Sequence, residues 1–463
     1  MKSTNSMNEA CNPYDEEGLR SSFEGTDEEI HTLKDISLVC GEVEEIEMIV
    51  GNTFSYSIFT NSSLVQNFLK VAPDVEDVFA YCMWRGQYVD CRNIFKVAVT
   101  LEGVCYNFNA LAASEMFTDR YQSTEFLSYS YKYQINEINS RMQKDYPILN
   151  TTEISRNWTV TEGYTNTDEH PYPRRGRENG PSPDLVVGLK EDKRFSGSAC
   201  NSMRNGFKIF VQTPEDLPQS SHYYYAALQK QVSSVAVKFN MLNTSETLRG
   251  YDPEVRQCYF PEDYKLDYFK VYTPSNCRLE CQSKYTFKKC GCVWFNMPHR
   301  KGTPICTGRL GSCVSEAQDE LAMGALEADL GLPDNGKACR CLPSCYSIQY
   351  DAEILKTSFD VQNYFKHLEV IMNDSFPWIN DYEHSRIEMY FKEPRFVSMR
   401  RSELFGLTDF LANVGGLLGL FLGFSLLSLV EIVYFVTLRL CCILKRDLRQ
   451  EKLNSEIKDE KLS

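Results

Sequence analysis

The sequence predicts an α+β protein in which a large disulfide-rich extracellular domain is followed by one C-terminal transmembrane α-helix. The apolar run from Leu411 to Leu444 is longer than the roughly 20 residues that a helix needs to cross a bilayer. Fourteen of the 18 cysteines lie between Cys82 and Cys345, a density typical of extracellular disulfide frameworks. The two features predict the order of the parts along the chain.

Glycosylation triplets and flanking charges predict the orientation in the plasma membrane. All five N-x-S/T triplets precede the apolar run: Asn61, Asn150, Asn157, Asn243 and Asn373. Glu403 and Asp409 lie before the run, whereas basic residues crowd its C-terminal end, at Arg439, Lys445, Arg446 and Arg449. By the positive-inside rule we expect the ectodomain outside and the C-terminus in the cytoplasm.

Ahead of the densest cysteine block, the pattern alternates short helices and strands. Residues 1–45 form an acidic, polar segment that we expect to be disordered. Apolar residues at helical spacing predict helices at 62–71 and 77–84. Runs rich in β-forming residues predict strands at 95–101, 185–189, 207–212 and 232–242.

The block from Cys258 to Cys345 has one clear helical stretch, at 316–330, so we expect crosslinks rather than a large core to hold it together. Its closely spaced pairs, Cys290-Gly-Cys292 and Cys339-Arg-Cys341, leave zinc as the alternative to disulfides. Structural zinc sites usually use CxxC pairs or His ligands, and the chain has only six His. Disulfides are therefore the favoured interpretation. Downstream, the pattern predicts a helix at 360–372 and a strand at 386–391.

The segment from His170 to Pro183 is rich in turn residues and predicts exposed loops. It contains Arg174-Arg-Gly-Arg177, which resembles a basic protease site. A solvated loop is the favoured interpretation of these arginines.

Composition and motifs exclude several classes of function. The net charge of −14 comes from the part before the apolar run, and the absence of a basic domain argues against a nucleic-acid partner. No GxSxG, HExxH or P-loop motif occurs, and cysteines in disulfides do not act as nucleophiles. We therefore predict no enzyme activity, no catalytic residue, no cofactor and no metal site.

The apolar run contains residues that a plain membrane anchor does not need. Gly415, Gly419 and Gly423 recur every fourth residue, a pattern that by itself favours helix–helix packing. Ser425, Ser428 and Glu431 follow at intervals of three. A carboxylate at membrane depth usually faces a bundle interior or water, and glycines permit a local helix break that exposes carbonyl oxygens. Together these features predict a cation pore.

At these residues the sequence resembles the degenerin/epithelial sodium channel family, most closely its insect pickpocket branch. Gly423-Phe424-Ser425, within GLFLGFSLLSLVE, matches the Gly-x-Ser tract of the family's second membrane helix. The resemblance implies a trimeric Na⁺ channel in which this tract is the selectivity filter. It also implies that Ala412 is at the gate and that the pore lining includes Gly416, Gly419, Ser428 and Glu431.

The cysteine spacing resembles the thumb region of the same family. The resemblance implies five pairs there: Cys258–Cys345, Cys277–Cys341, Cys281–Cys339, Cys290–Cys313 and Cys292–Cys306. Cys82–Cys91 is expected as a further local pair. Cys105 lies in a stretch that resembles a family motif whose cysteine pairs just after the first membrane helix.

The resemblance also implies a domain order. We expect finger and β-ball parts at 46–225, a palm and knuckle part at 226–276, a thumb at 277–345 and a return to the palm at 346–406. The pore-lining transmembrane helix is expected at 407–440 and the cytoplasmic tail at 441–463. No signal peptide or counterpart of the family's first membrane helix is evident, so we expect a chain shortened at its start.

Two functions remain open from the sequence. The first is a subunit of a ligand- or stimulus-gated, amiloride-sensitive sodium channel, with Na⁺ as the permeant ion, working as a homo- or heterotrimer with related subunits in contact with membrane lipid. Its extracellular ligand is not identified. The second is a non-conducting, single-span, disulfide-rich regulatory isoform or receptor-like binding protein.

Overall fold

The chain divides into two compact units in a computed structural model. One unit comprises Met1–Thr244 and Arg249–Arg401, and the other comprises Ser245–Leu248 and Ser402–Ser463. The structure describes residues 32, 35, 38–39, 59–60, 64–118, 158–165, 172–176, 182–193, 206–217, 223–300, 302–306, 310–331, 338–372, 375, 377–423 and 425–460.

The described strands of the first unit are, in chain order, β1 (Phe59–Thr60), β2 (Phe79–Trp84), β3 (Gln87–Val89), β4 (Phe95–Thr100), β5 (Gly103–Phe108), β6 (Trp158–Thr159), β7 (Gly163–Tyr164), β8 (Leu185–Asp192), β9 (Phe207–Ile209), β10 (Tyr225–Ala227), β11 (Gln231–Thr244), β12 (Ile305–Cys306), β13 (Ser347–Ser358), β14 (Tyr382–Phe391) and β15 (Val397–Arg401). Its helices are α1 (Leu64–Val71), α2 (Val75–Val78), α3 (Cys91–Ile94), α4 (Ala113–Met116), α5 (Pro253–Arg256), α6 (Pro274–Cys290), α7 (Gly311–Asp329) and α8 (Val361–Met372). Short 3₁₀ turns cover Glu246–Gly250 and Pro377–Asp381.

A seven-stranded mixed sheet organises the first unit, in the order β13-β11-β14-β8-β2-β3, with β15 also paired to β11. The central strand β11 is antiparallel to β13 along almost its whole length, from Gln231 opposite Ser358 to Leu242 opposite Ser347. Along its other edge β11 pairs in parallel with β14 at Val232–Val237 and then with β15 at Asn240–Thr244. Two strands therefore lie end to end beside one long strand, and the second of them leads out of this unit.

Small hairpins lie outside the large sheet. The pairs β4–β5, β6–β7 and β9–β10 are each antiparallel two-stranded ribbons. Isolated hairpins are at best marginally stable in water, so these ribbons need packing against a larger body. Phe95, Tyr106 and Phe207 provide that packing, because they contact the core formed by the inner face of the large sheet.

The cysteine-rich block is built on two helices. Thr273 caps α6 through its Oγ1, which accepts a hydrogen bond 3.1 Å long from the Asn276 N–H, and Pro274 occupies the first turn. Gly291 ends the helix in the left-handed conformation, at φ 74°. The sequence contains these start and stop signals. The helix was nevertheless not predicted, because its amphipathic pattern is weak.

Contrary to the sequence-based expectation, the cysteine-rich block has a hydrophobic core. Phe269, Val293 and Met297 are each no more than 2% exposed within one buried cluster that also contains Cys277 and Cys292. The expectation failed because these apolar residues lie in loops between crosslinks, without a periodic pattern. Tertiary packing and disulfides therefore hold this block together jointly.

A second correction concerns residues 77–84, where the sequence predicted a helix. The helix α2 ends at Val78, and the strand β2 begins at Phe79. Short apolar runs fit either periodicity, and here pairing with β8 on one side and β3 on the other stabilises the strand. The other predicted helices and strands in the described residues are present, with bounds shifted by a few residues.

The second unit consists mainly of helices, of which the first two are apolar. They are α9 (Leu407–Leu422), α10 (Leu426–Val433), a π-helical stretch (Tyr434–Arg439) and α11 (Leu440–Glu460). The last helix continues beyond residue 440, where the sequence analysis placed the end of the transmembrane helix.

Candidate functional site at a helix break

The apolar helix is interrupted at the tract that the sequence analysis proposed as a filter. Gly423 has a φ of 60°, in the left-handed region, and its N–H donates a hydrogen bond to the Leu418 carbonyl oxygen. This geometry ends α9, because a left-handed residue cannot continue a right-handed helix. A helix end leaves its last carbonyl groups without intrahelical partners. Backbone oxygens are thereby available at this level of the apolar segment.

A second helix begins two residues later. Ser425 has extended backbone geometry, and its Oγ accepts a hydrogen bond 3.2 Å long from the Ser428 N–H. The two serine hydroxyls lie 3.3 Å apart. Such an N-cap stabilises a helix by about 1 kcal/mol. The serine therefore fixes the start of α10 and places two hydroxyl groups beside the break; Phe424 lies outside the described residues.

The other proposed pore residues lie on the helices flanking the break. Ala412, Gly416 and Gly419 are in α9, and Glu431 is in α10. A Cβ added at Gly416 would meet no heavy atom within 4 Å. The space beside this glycine is therefore open in the single chain.

One described helical stretch is suited to crossing a membrane. Leu427–Lys452 is long and apolar enough by length and composition, and none of its most apolar window is buried within the described part of the chain. Leu407–Phe421, on the other side of the break, is a shorter apolar helix. Bulky apolar side chains such as Leu420 and Phe421 are more than 75% exposed. Apolar surface of this kind is unfavourable in water.

The first unit has an anchoring contact at the strand that leads out of it. The Arg401 guanidinium donates hydrogen bonds to the carbonyl oxygens of Arg256 and Gln257, at 3.0 and 3.3 Å. Arg256 is 6% exposed, and its guanidinium pairs with the Asp263 carboxylate and lies over the Phe260 ring. This network was not predicted from the sequence, where its only signal is a group of basic residues flanking a strand.

The described residues contain six disulfides. Five are the pairs that the resemblance implied, Cys258–Cys345, Cys277–Cys341, Cys281–Cys339, Cys290–Cys313 and Cys292–Cys306, and the sixth is the expected local pair Cys82–Cys91. The close pairs that left zinc open are each bonded to a distant cysteine. Cys105 is a free thiol whose Sγ lies 3.3 Å from Thr100 Oγ1, and burial raises its pKa.

The basic segment is tied down where the sequence predicted an exposed loop. Arg174 is 9% exposed, and its guanidinium donates to the Asn93 carbonyl oxygen at 3.0 Å. The Asn109 side chain also donates to the Arg174 carbonyl oxygen, at 2.8 Å. This part of the segment is not a solvated loop, because its side chain and backbone are both bonded to neighbouring segments; Arg177 lies outside the described residues.

Of the five predicted glycosylation residues, the structure describes Asn243. This residue is half-buried in β11, where it pairs with Arg400 of β15. Asn61, Asn150, Asn157 and Asn373 lie outside the described residues.

One buried carboxyl group in the first unit has a strongly altered proton affinity. Burial, with the neighbouring charge of Asp216, raises the pKa of Glu215 to about 8. The sequence offers no signal for this shift, because it depends on the enclosing fold.

Comparisons with known proteins place the chain among ion channels. A family model described as "Amiloride-sensitive sodium channel" matches residues 2–435. The chain is 30% identical over 385 residues to Pickpocket protein 28 of Drosophila melanogaster, covering 82% of this chain and 59% of that protein. It is 22% identical over 422 residues to Sodium channel protein Nach of Drosophila virilis, covering 90% and 88%.

A vertebrate ion channel is also similar. The chain is 26% identical over 377 residues to Acid-sensing ion channel 2 of Rattus norvegicus, covering 81% of this chain and 59% of that protein. The chain thus spans about six-tenths of the length of two of these three relatives.

Proposed function

Because the chain belongs to the amiloride-sensitive sodium channel family, we propose that it is a subunit of a stimulus-gated, amiloride-sensitive channel that conducts Na⁺ across the plasma membrane. The observation that carries this proposal is the helix break at Gly423 and Ser425 within an otherwise continuous apolar segment. A protein that only needed an anchor would gain nothing from such a break.

Hydrocarbon offers no hydrogen bonds, so irregular backbone at membrane depth is tolerated only where other protein covers it or where it lines a water-filled cavity. Oxygens freed at the end of α9 replace part of the hydration shell of a cation, as backbone oxygens do in channel filters. We assign the filter to Gly423, Phe424 and Ser425 on this basis.

The flanking residues fit the same assignment. Ser428 lies 3.3 Å from Ser425 through their hydroxyls, and Glu431 follows one turn later. A carboxylate at membrane depth costs roughly 2.5–3.5 kcal/mol on insertion scales, a cost that water or a permeating cation offsets. Gly416 and Gly419 would let neighbouring helices approach closely, and Ala412 would form the gate, where a bulky side chain would prevent closure.

A pore built this way needs several chains, because one helix cannot enclose an aqueous path. We propose a homo- or heterotrimer with related subunits, each with its ectodomain outside and its C-terminus in the cytoplasm. The exposure of the apolar helix surface in the single chain supports contact with lipid and with other subunits.

The test is sodium current in cells that express the chain alone and together with related family subunits. We expect Ser425→Asp to reduce selectivity for Na⁺ over K⁺, and Ala412→Phe to produce a constitutive current. Leu420→Phe, a change on the same helix away from the proposed gate, is the matched control and leaves gating unchanged.

Surface labelling of every variant shows whether the protein reaches the membrane. If the chain reaches the surface but passes no sodium current under either condition, the conducting role is wrong. A change in the current of a co-expressed subunit would then identify the chain as a non-conducting regulatory protein.

A further inference from the structure

A large cavity lies in the first unit between the inner face of the seven-stranded sheet and the small hairpins. Its volume is about 1320 Å³, beyond the 300–1,000 Å³ that is common for small-molecule sites. Strands β4, β5, β9 and β10 face it from one side, and β8, β11 and β14 from the other. The described residues that line it have no place in the proposed ion path.

Aromatic side chains dominate the wall of this cavity and are not fully packed. Trp84, Phe108 and Phe239 are each half-buried although they lie between two layers of the fold. Protein interiors are otherwise close-packed, and a side chain that faces a void loses dispersion contacts on that side. An apolar guest would restore those contacts, which makes the wall suited to a long or bulky apolar group.

The exposed edge of the cavity carries positive charge. Arg175 and Arg395 both line it, both are exposed, and the described part of the chain holds no ion-pair partner for either guanidinium. The Arg175 guanidinium lies 6.0 Å from the Tyr164 ring. The acidic residue nearest to Arg395 in sequence, Glu393, is already paired with Lys238 at 3.4 Å.

Lys208, which lines the interior of the cavity, is neutralised by an acidic partner. Lys208 Nζ lies 2.6 Å from a Glu102 carboxylate oxygen and 5.2 Å from the centre of the Tyr224 ring. The wall inside therefore offers apolar surface, the Glu102–Lys208 ion pair and the buried residues Arg174 and Asp184, whereas its edge offers two available guanidinium groups. In a chain of net charge −14 this local excess of positive charge is a specific recognition feature.

We propose that this cavity binds a lipophilic carboxylate, with its hydrocarbon part against the aromatic wall and its carboxylate on Arg175 and Arg395. A guanidinium matches the geometry of a carboxylate through paired N–H donors. The occupant is a single amphipathic anion, since the cavity has one apolar interior and one charged edge.

Occupancy of this site affects the strand that leads to the apolar helices, and this step rests on the proposed channel function. Phe396 lines the cavity, and its ring stacks on Phe239 of β11 with centroids 4.7 Å apart. The next residue begins β15, which pairs with β11. A guest that displaces the Phe396 ring would shift this strand, so the carboxylate is a modulator of the channel.

The experiment measures tryptophan quenching by a dibrominated stearate. The full chain is placed in nanodiscs of zwitterionic lipid. Bromine quenches indole fluorescence only at contact, and probe that dissolves in the lipid stays near the membrane. Quenching of a cavity tryptophan therefore reports probe that is bound in the cavity. Two of the four tryptophans, Trp84 and Trp158, line the cavity, whereas Trp294 does not. We expect saturable quenching that is largely lost in the Trp84→Phe/Trp158→Phe variant.

The charged contact is tested separately. We expect Arg175→Ala/Arg395→Ala to raise the Kd for the stearate at least tenfold and to leave the Kd for the dibrominated stearyl alcohol within twofold. Arg278→Ala, which removes an exposed arginine from α6 outside the cavity, is the matched control and binds like the unaltered chain.

Quenching that does not saturate, or that persists without Trp84 and Trp158, would overturn the site. Equal binding of acid and alcohol, unaffected by the two arginine changes, would overturn the assignment of a carboxylate. Saturable binding with no effect on current would contradict the modulator role. A chain that binds the stearate but never conducts would contradict the proposed channel function and support the site.

Discussion

The Arg401 guanidinium donates a hydrogen bond 3.0 Å long to the Arg256 carbonyl oxygen, and Arg256 adjoins the turn that leads to Cys258. The contact joins the last residue of β15 to the base of the disulfide-linked block. Cys258 is fully buried and bonded to Cys345. The strand that leads out of the first unit is therefore fastened by side-chain bonds as well as by its pairing with β11.

We predict that Arg401→Ala loosens β15. The change removes two hydrogen bonds from a charged donor, which together contribute about 1–2 kcal/mol at a partly exposed position. Backbone amides of Val397–Arg401 should exchange with deuterium about tenfold faster. Arg278→Ala is the control, and Arg401→Lys should restore part of the protection. Unchanged exchange in Arg401→Ala would show that strand pairing alone holds β15.

We predict that the nested disulfides contribute less one at a time than their sequence separations suggest. Cys258–Cys345 spans 87 residues, for which loop closure alone gives about 4.6 kcal/mol. Cys277–Cys341 lies inside this loop and shortens the part that Cys258–Cys345 closes to roughly 20 residues. Removing Cys258–Cys345 should therefore lower the free energy of unfolding by about 3 kcal/mol. The measurement is the urea midpoint of Cys258→Ser/Cys345→Ser.

The matched comparison repeats this change in a chain that already lacks both Cys277–Cys341 and Cys281–Cys339, since either of these inner bridges alone keeps the loop short. There the loss from removing Cys258–Cys345 should be larger, because the loop it closes is longer. Equal losses in the two backgrounds would contradict the nested-loop account.

We predict that the contribution of Glu215 to the stability of the first unit falls as the pH rises from about 4.5 to about 8. Burial and the Asp216 charge raise the pKa of Glu215 from 4.5 to about 8, so the folded chain keeps a proton that the unfolded chain has released. This contribution to the free energy of unfolding therefore falls by up to about 1.4 kcal/mol for each pH unit in this window and stays constant above it.

Glu215→Gln tests this assignment. The variant keeps the shape of the side chain but cannot titrate, so its melting temperature should depend less on pH between 5 and 8, by the part that Glu215 contributes. A matched change at an exposed acid, Glu254→Gln, should leave the pH dependence as it is. If Glu215→Gln has the same pH profile as the unaltered chain, the carboxyl group is not the titrating group.

We predict that alanine substitution has different effects at two glycines of the apolar segment. Gly423 has a φ of 60°, so Gly423→Ala strains the break by about 1 kcal/mol even though its Cβ would meet no atom within 4 Å. Gly415 is helical with equally open space, so Gly415→Ala is tolerated. We expect the Na⁺/K⁺ permeability ratio to fall several-fold in the first variant and to stay constant in the second. Equal ratios would argue against a filter at the break.

Several features were predictable because their cause is local in sequence. The length of the apolar run predicted the C-terminal apolar helices, and alternation in 232–242 predicted the strand β11. The expected helix at 77–84 failed because a short apolar run does not distinguish the two periodicities. The helix α6 was missed because only its end signals, at Thr273 and Gly291, are strong.

The sequence by itself determined the class of protein, the possible position of the helix break and, through the resemblance, the cysteine pairs. Glycine tolerates the left-handed conformation and serine caps helices. Both are properties of the residue types, so the position of the helix break could be predicted from the sequence. The tertiary structure decided which side chains meet across long separations in the chain: Arg401 with Arg256, Phe396 with Phe239, and the aromatic walls of the cavity. It also decided the pKa of Glu215, because burial depends on the packing of segments that no local pattern specifies.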